Sequence, residues 1–441
     1  MRRTITLFMI LSILGFQALL SQSTILVAPG DNLITTVKDA SAGDTIKLQA
    51  GRHVARYAGI KIEKSLNIVA ETKVKPTVYI KQFDVMGENT DLYIEGIEFS
   101  GATVDSLTGD EDLETLRGDY FLNLDETMKS CGKITVKNCI IRNLNRCVVR
   151  GDRAAYSVTH FLFDGLIVSD LRGDGDYGPF RLKTNITFRT LTITNSTFHN
   201  MYVKFINTQD IPSMELDVLV KNCTFYRWGG KKSDQDLFDF KMNDLARLII
   251  QDCILGKTNA EPDAEIPINV KGWRMDAANA SYLEMITTVM TPDFILSDRG
   301  YDMVEWDKTE YNQVDVDPDW ADPEAGDFTL PEGSLLLESS QIGGIVGDPR
   351  WDPNYGVGIK RLESTASFRF FPNPADRVFY LTMDPVLEGS SLTVYNTMGV
   401  TVKRFQNVHS DTPLLIADLQ PGVYFVKIDS QASISAKLLV R

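Results

Sequence analysis

The chain reads as all-β: a right-handed parallel β-helix, or solenoid, with an N-terminal capping helix, followed by a small C-terminal β-sandwich. Three observations carry this reading. A phrase of alternating apolar residues, then Asn or Asp, then a small residue, recurs five times along the middle of the chain. Helical periodicity is confined to one short stretch near the start. Residues 368–441 form a separate run of short alternating segments with Gly and Pro turns.

The recurring phrase is "ITVKNCIIRNL" (134–144), "FLFDGLIVSDL" (161–171), "LTITNSTFHNM" (191–201), "VLVKNCTFYRW" (218–228) and "LIIQDCILGKT" (248–258). At the Asn/Asp position the copies fall at 138, 164, 195, 222 and 252, and "LYIEGIEFSG" (92–101) reads as an earlier copy. Alternation of period two marks strands, and steps of 26 to 31 residues without intervening helices exclude leucine-rich and βαβ repeats. Equivalent positions of successive coils then stack as parallel strands do, ~4.8 Å apart. The Asn/Asp position becomes a side-chain ladder at a bend. A β-sandwich or a propeller is the competing architecture and accounts less well for the irregular step.

The elements follow in chain order. "MRRTITLFMILSILGFQALLSQS" places two arginines before an apolar run and small residues after it, the pattern of a secretory signal peptide over 1–23. The run is short for a membrane anchor, and no transmembrane span is expected once the signal is removed. The solenoid occupies 24–352. It opens with "PGDNLITTVKDASAGDTIKLQAGRH", where Asp31 is the expected cap and Leu33, Ile34, Val37 and Ala40 the apolar face of a short helix. That helix would cover the bare edge of the first coil. The five cysteines, Cys131, Cys139, Cys147, Cys223 and Cys253, are odd in number and lack a CxxC pair, so they read as small core residues rather than zinc ligands or a disulfide set. A linker, 353–367, leads to the sandwich, 368–441. The net charge of -14 argues against nucleic acid as a partner; an acidic polymer would need a local basic patch.

Two resemblances extend this. "VKDASAGDTIKLQAGRH" resembles the opening of pectate-lyase-like β-helices, particularly the alginate-lyase and chondroitinase-B-like group. The segment 317–351 is similar to the closing segment of β-helix domains in surface polysaccharide-processing proteins, many of them in families of unknown function. Together they cover 24–352 and imply the fold, with an acidic polysaccharide as the suggested partner. In the tail, "FPNPA", "LTVYNTMGV", "DLQPGVYFVKI" and the terminal "AKLLVR" resemble the type A C-terminal sorting domain of the type IX secretion system. This implies the type IX secretion machinery as a partner and a secreted or outer cell-surface location. A carbohydrate-binding sandwich is the alternative for the tail.

Candidate site residues come from the ends of strands. "CVVRGD", "FRLKTN", "FDFKMN" and "INVKGW" supply Arg150, Lys183, Lys241 and Lys271 as an expected basic column, with Asn123 and Asn207 nearby but one residue early. Arg181 and Lys204 lie on the same strand set, on the alternate face. Cations at coil spacing repel one another until an anion fills the column, and a polyuronate repeats its charge at a similar ~4–5 Å. β-Elimination of a uronide needs a cation on the carboxylate and a base for the C5 proton. Lys241 or Lys183 is the candidate base, Arg150 and Arg181 the carboxylate-binding pair, and Lys271, Asn207 and Lys204 further substrate contacts. His160 and His199 are alternative acid/base groups. The sequence lacks the Lys-Ser-x-x-Asn and paired-arginine phrases of the alginate-degrading group, so a non-catalytic glycan-binding or adhesive β-helix stays open beside the lyase, as do lysines that merely snorkel into water. Asp174 and Asp176 of "RGDGDYG" are candidates for glycoside hydrolysis without its other phrases. Arg-Gly-Asp at 117–119, 150–152 and 172–174 suits coil turns as well as adhesion. "DVDPDW" (315–320) puts Trp320 where a calcium loop needs Gly, so no metal ligands are assigned there. The acidic loop 105–119 is a solvated insertion or a holder of calcium for a uronate, and calcium is the one cofactor considered.

Overall fold

A computed structural model describes residues 22–55, 58–105, 108–124, 130–152, 156–174, 177–183, 186–208, 215–230, 235–240, 245–275, 282–300, 313–340, 343–355, 368–373, 375–383, 387–396, 400–429 and 434–441. The signal-peptide segment up to residue 21 and most of the expected linker lie outside them. Among the described residues no helix is long and apolar enough to cross a membrane.

The repeats build a parallel β-helix. Its strands form a 17-stranded and a 9-stranded sheet, parallel throughout. The larger sheet is two ladders joined at a bend, because Ile186–Met201 and Glu215–Tyr226 run through the bend as continuous strands. At this bend Asn138, Asn195, Asn222 and Asp252 take φ of 51, 51, 50 and 54°, the left-handed conformation that Asn tolerates better than most residues. The coil between 138 and 195 corrects the expected ladder. Asp164 pairs with Lys137 and Thr194, and Gly165, at φ 70°, holds the left-handed position. Asp164 instead accepts hydrogen bonds from Thr194 and Asn195 of the next coil, both at 2.9 Å. A second left-handed column, Asn143, Asp170, Asn200 and Arg227, marks the following bend.

The interior is apolar and continuous from Val27 to Met290. Phenylalanines and tryptophans run along it, with Phe180, Phe198, Phe205 and Phe225 in edge or stacked contact and Trp273 stacked on Phe238. All five cysteines are buried and free. Cys139, Cys223 and Cys253 follow the left-handed Asn/Asp residues, and each thiol donates to a carbonyl two residues back. The helix Leu33–Asp39 buries Leu33 and Val37 and lies against Gly59–Ile62, the first strand of the nine-stranded sheet. Its cap is Asn32, which accepts from the Thr35 N–H, whereas Asp31, the expected cap, accepts from Ala28 in the preceding turn.

Two additions cover the outer face of the second ladder. Ala102–Val104 and Glu111–Leu116 form an antiparallel hairpin, so the acidic loop is partly strand, and Glu111 accepts from both Arg142 terminal nitrogens and from Tyr79. Further on, Asp348 accepts from Thr197 at 2.7 Å, and Glu324 accepts from Tyr226 and Arg227. The tail is a separate sandwich. A three-stranded antiparallel sheet and a four-stranded one enclose Phe379, Leu381, Leu392, Val394, Val426, Ile428 and Leu438.

Candidate functional site

A solenoid sheet is expected to be apolar inside and solvated outside. The nine-stranded sheet breaks this rule on its outer side. Asn123, Arg150, Asn207, Asp236 and Asp239 are buried there, and so is Lys204, just before the short strand at 206–207. Buried charge is costly unless paired, so this cluster is the feature of the solenoid that packing alone does not explain.

Register defines its rows. Asn123 lies opposite Arg150, Arg150 opposite Arg181, Arg181 opposite Asn207, and Asn207 opposite Asp239. Asp239 in turn faces Arg274. The strands are locally irregular: Phe121 and Leu122, Val148 and Val149, and Leu237 and Phe238 are all fully buried, and the following polar residue points out.

This corrects the expected basic column. Arg150 shares its row with Arg181 and with the two asparagines, not with Lys183. Lys183 is half-buried two residues further on, with its N–H donating to Gly151. Lys271 pairs with Asp236 and Asp298, in a different row. Lys241 lies outside the described residues; the residue two before it, Asp239, occupies the Arg150 row. The column was misplaced because the strand ends were aligned two residues too late, on Lys183 and Lys241 instead of Arg181 and Asp239.

Arg150 and Arg181 are joined by one carboxylate. Asp152 accepts from Arg150 Nε at 2.8 Å and from Arg181 Nε at 2.7 Å, and Arg150 also donates to Asn123. Arg150-Gly151-Asp152 is thus spent on an internal ion pair rather than displayed as an adhesion motif. Asn123 donates in turn to Asp84. Tyrosines support the arginines: Arg150 lies 5.1 Å from the Tyr120 ring centroid, and Arg181 4.2 Å from that of Tyr177. Burial pushes the Tyr120 hydroxyl up to about 12, so it stays a donor. A methyl group at Gly178, beside Tyr177, would stand 1.5 Å from the Lys204 carbonyl oxygen, which leaves only glycine room there.

The far half of the face holds a second cluster. Lys204 donates to Asp239 at 2.5 Å, and Asp239 is fully buried. Arg274 stands 3.9 Å from Asp236. Burial, then the neighbouring Asp239, raises the Asp236 carboxyl above the usual range, against the pull of Lys204, Arg274 and Lys271. Sequence reasoning missed Asp152, Asp236 and Asp239, because single aspartates near turns carry no periodic signal.

The histidines lie elsewhere. His160 is on the first ladder, bonded to Thr190, and His199 is on the second, beneath Gly326, where burial depresses its pKa against the pull of Asp170. Asp174 is exposed in a turn and Asp176 lies outside the described residues. Among the described residues no group of three or more His, Cys, Asp or Glu could hold a metal ion.

Comparison with known proteins places the chain in a class before any family. Residues 369–441 match the secretion system C-terminal sorting domain, so the chain is a parallel β-helix carrying a sorting tail, delivered by type IX secretion to the outer cell surface or beyond. Residues 218–351 match a domain of unknown function (DUF5123). No curated protein matches. Among solved structures, a mutant of a PL6-family alginate lyase is similar, with 15% identity and a TM-score of 0.44. That match covers 67% of this chain, which spans only 40% of the lyase chain.

Proposed function

We propose that the protein binds an acidic polysaccharide of the polyuronate class on the outer face of its nine-stranded sheet and cleaves it by β-elimination. The observation that carries the reading is the row Asn123, Arg150, Arg181, Asn207 on the outside of a sheet, buried except for the partly exposed Arg181. Planar guanidiniums fork onto carboxylates, and the flanking amides suit sugar hydroxyls. In the reaction, Arg150 and Arg181 face the uronate carboxylate and stabilise charge as Lys183 or Lys241 removes the C5 proton. The released electron pair forms the C4–C5 double bond, the C4–O4 bond breaks, and the departing O4 takes a proton from the newly formed lysine ammonium or from water. Lys204, Asn207 and Lys271 extend the contact surface. Calcium is treated as an assay variable, with no step routed through it.

A second reading, a non-catalytic glycan-binding or adhesive β-helix, is favoured by Asp152, which already neutralises part of the arginine charge. The test is incubation with alginate, pectate and glycosaminoglycans, with and without calcium, followed by ultraviolet absorbance of the unsaturated product and by retention on immobilised glycan. Product that disappears in Lys183→Ala or Lys241→Ala supports the lyase. Retention without product supports the binder, and neither signal with any acidic glycan overturns both.

A further inference from the structure

Two tyrosine rings on this face gather three guanidiniums, and the third belongs to Arg146, which the charge pattern of the sequence did not single out. Tyr120, Arg146 and Tyr177 come from three consecutive coils at the entry to strands Tyr120–Leu124, Cys147–Gly151 and Phe180–Leu182. The rings lie 5.9 Å apart. The Arg146 guanidinium is 5.7 Å from the Tyr120 centroid and 5.2 Å from that of Tyr177, and it donates to the Tyr120 hydroxyl at 2.5 Å. The same two rings carry Arg150 and Arg181 on their other approaches.

The electrostatic state of Arg146 differs from that of its neighbours. Arg150 and Arg181 share Asp152. Among the described residues Arg146 makes no ion pair; its one side-chain hydrogen bond goes to a neutral hydroxyl, and Asp119 acts on it only at longer range. A guanidinium has five N–H donors, so most of its fork is left for a ligand. Arg146 adds a third guanidinium beside the Arg150–Arg181 pair in a chain whose net charge is -14. The rings hold the planar fork in place and limit the rotamer freedom lost when it binds.

We propose that Arg146, held against both Tyr120 and Tyr177, is a recognition site for one oxyanion of an acidic glycan, a sugar carboxylate or a sulfate ester, beside the Arg150–Arg181 pair. This rests on the reading that an acidic glycan binds the face, and it names the residue that selects charge there.

The experiment compares the full-length protein with Arg146→Gln and Arg146→Lys. Binding is measured by calorimetry to a polyuronate, dextran sulfate and neutral dextran, at low and high salt, with thermal unfolding of each variant. The expected result is a loss of about ten- to a hundredfold in affinity for R146Q, as for one charge-assisted fork, with little change in unfolding temperature. R146K keeps the charge but not the planar fork and should fall between. Should R146Q fail to fold, R146K alone decides: weakening by several-fold supports the site, and parental affinity overturns it. The better-bound acidic polymer identifies carboxylate or sulfate as the anion. Parental affinity and salt dependence in both variants overturn the role of Arg146 and leave glycan binding standing. A parent protein that binds neither acidic polymer overturns both readings.

Discussion

Replacing Lys204 by Met should destabilise the solenoid far more than replacing any exposed lysine. Lys204 is buried and its ammonium meets Asp239, which is fully buried on the outer side of the nine-stranded sheet. Removing the lysine takes its ammonium from a carboxylate that is out of water, and breaking a buried pair in this way costs about 3–5 kcal/mol. An exposed salt bridge is worth about 0–1 kcal/mol. A difference of this size moves a urea midpoint by about 1 M or more, given denaturant slopes of a few kcal/mol/M. The assay is urea unfolding followed by circular dichroism at neutral pH, on the parent, Lys204→Met, Asp239→Leu and the double variant. Each single variant should fall by a similar amount. The double variant should recover much of the loss, because two apolar groups of similar volume leave no charge behind. Single variants that unfold with the parent, or a double variant that loses the sum of both, would refute the claim that this is a buried, mutually dependent pair.

Asp236 should behave in the opposite sense. Its folded pKa is raised by burial and by Asp239, so whatever stability its proton supports is present below the unfolded pKa, about 3.9, and is lost as pH rises through the folded value. Asp236→Asn should therefore gain on the parent as pH increases, read from urea midpoints at acidic and neutral pH; a constant difference between the two would contradict the assignment. The five cysteines should resist a thiol reagent until the protein unfolds, since all are buried and burial pushes Cys131 and Cys139 up to about 12. Rapid labelling of the native protein would contradict this. Deleting residues 366–441 should abolish delivery to the outer surface while leaving the solenoid folded, checked by surface proteolysis of intact cells; unchanged delivery would count against the sorting role of the tail.

The fold was legible because solenoid stacking forces sequence period and spatial period to coincide. "VKNC" at 138 and 222 and "IQDC" at 252 name the bend directly, since a left-handed backbone followed by a small inward residue admits few side chains. Asp164 misled by one position because Gly165 satisfies the same backbone requirement without a side chain. The second column, Asn143, Asp170, Asn200 and Arg227, was also present in the repeats, but Arg227 hides it: nothing in an arginine announces positive φ. The candidate site was half legible. Arg150, Arg181, Lys204 and Asn207 were found as strand-end polar residues. Their partners were not: Asp239 meets Lys204 across coils, a contact no fixed spacing encodes, while Asp152 and Tyr177 stand two and four residues from Arg150 and Arg181 in turns that carry no repeat signal.

The face therefore poses a balance that stability alone does not account for. An apolar outer row would fold at lower cost than Arg150, Asp152, Arg181, Lys204 and Asp239 together, since a buried ion pair is often worth no more than the hydrophobic residues that could replace it. The other outer faces show what stability does require: Glu111 on Arg142 and Glu324 on Arg227 each fasten an added segment to the second ladder. On the nine-stranded sheet the pairs fasten no such segment among the described residues; they hold guanidiniums at fixed positions against tyrosine rings. Fixed guanidiniums lose less freedom on meeting a planar anion than lysines on flexible stems do. On the proposed reading, that difference moves the weight of recognition from the expected column of Arg150, Lys183, Lys241 and Lys271 toward Arg146, Arg150 and Arg181.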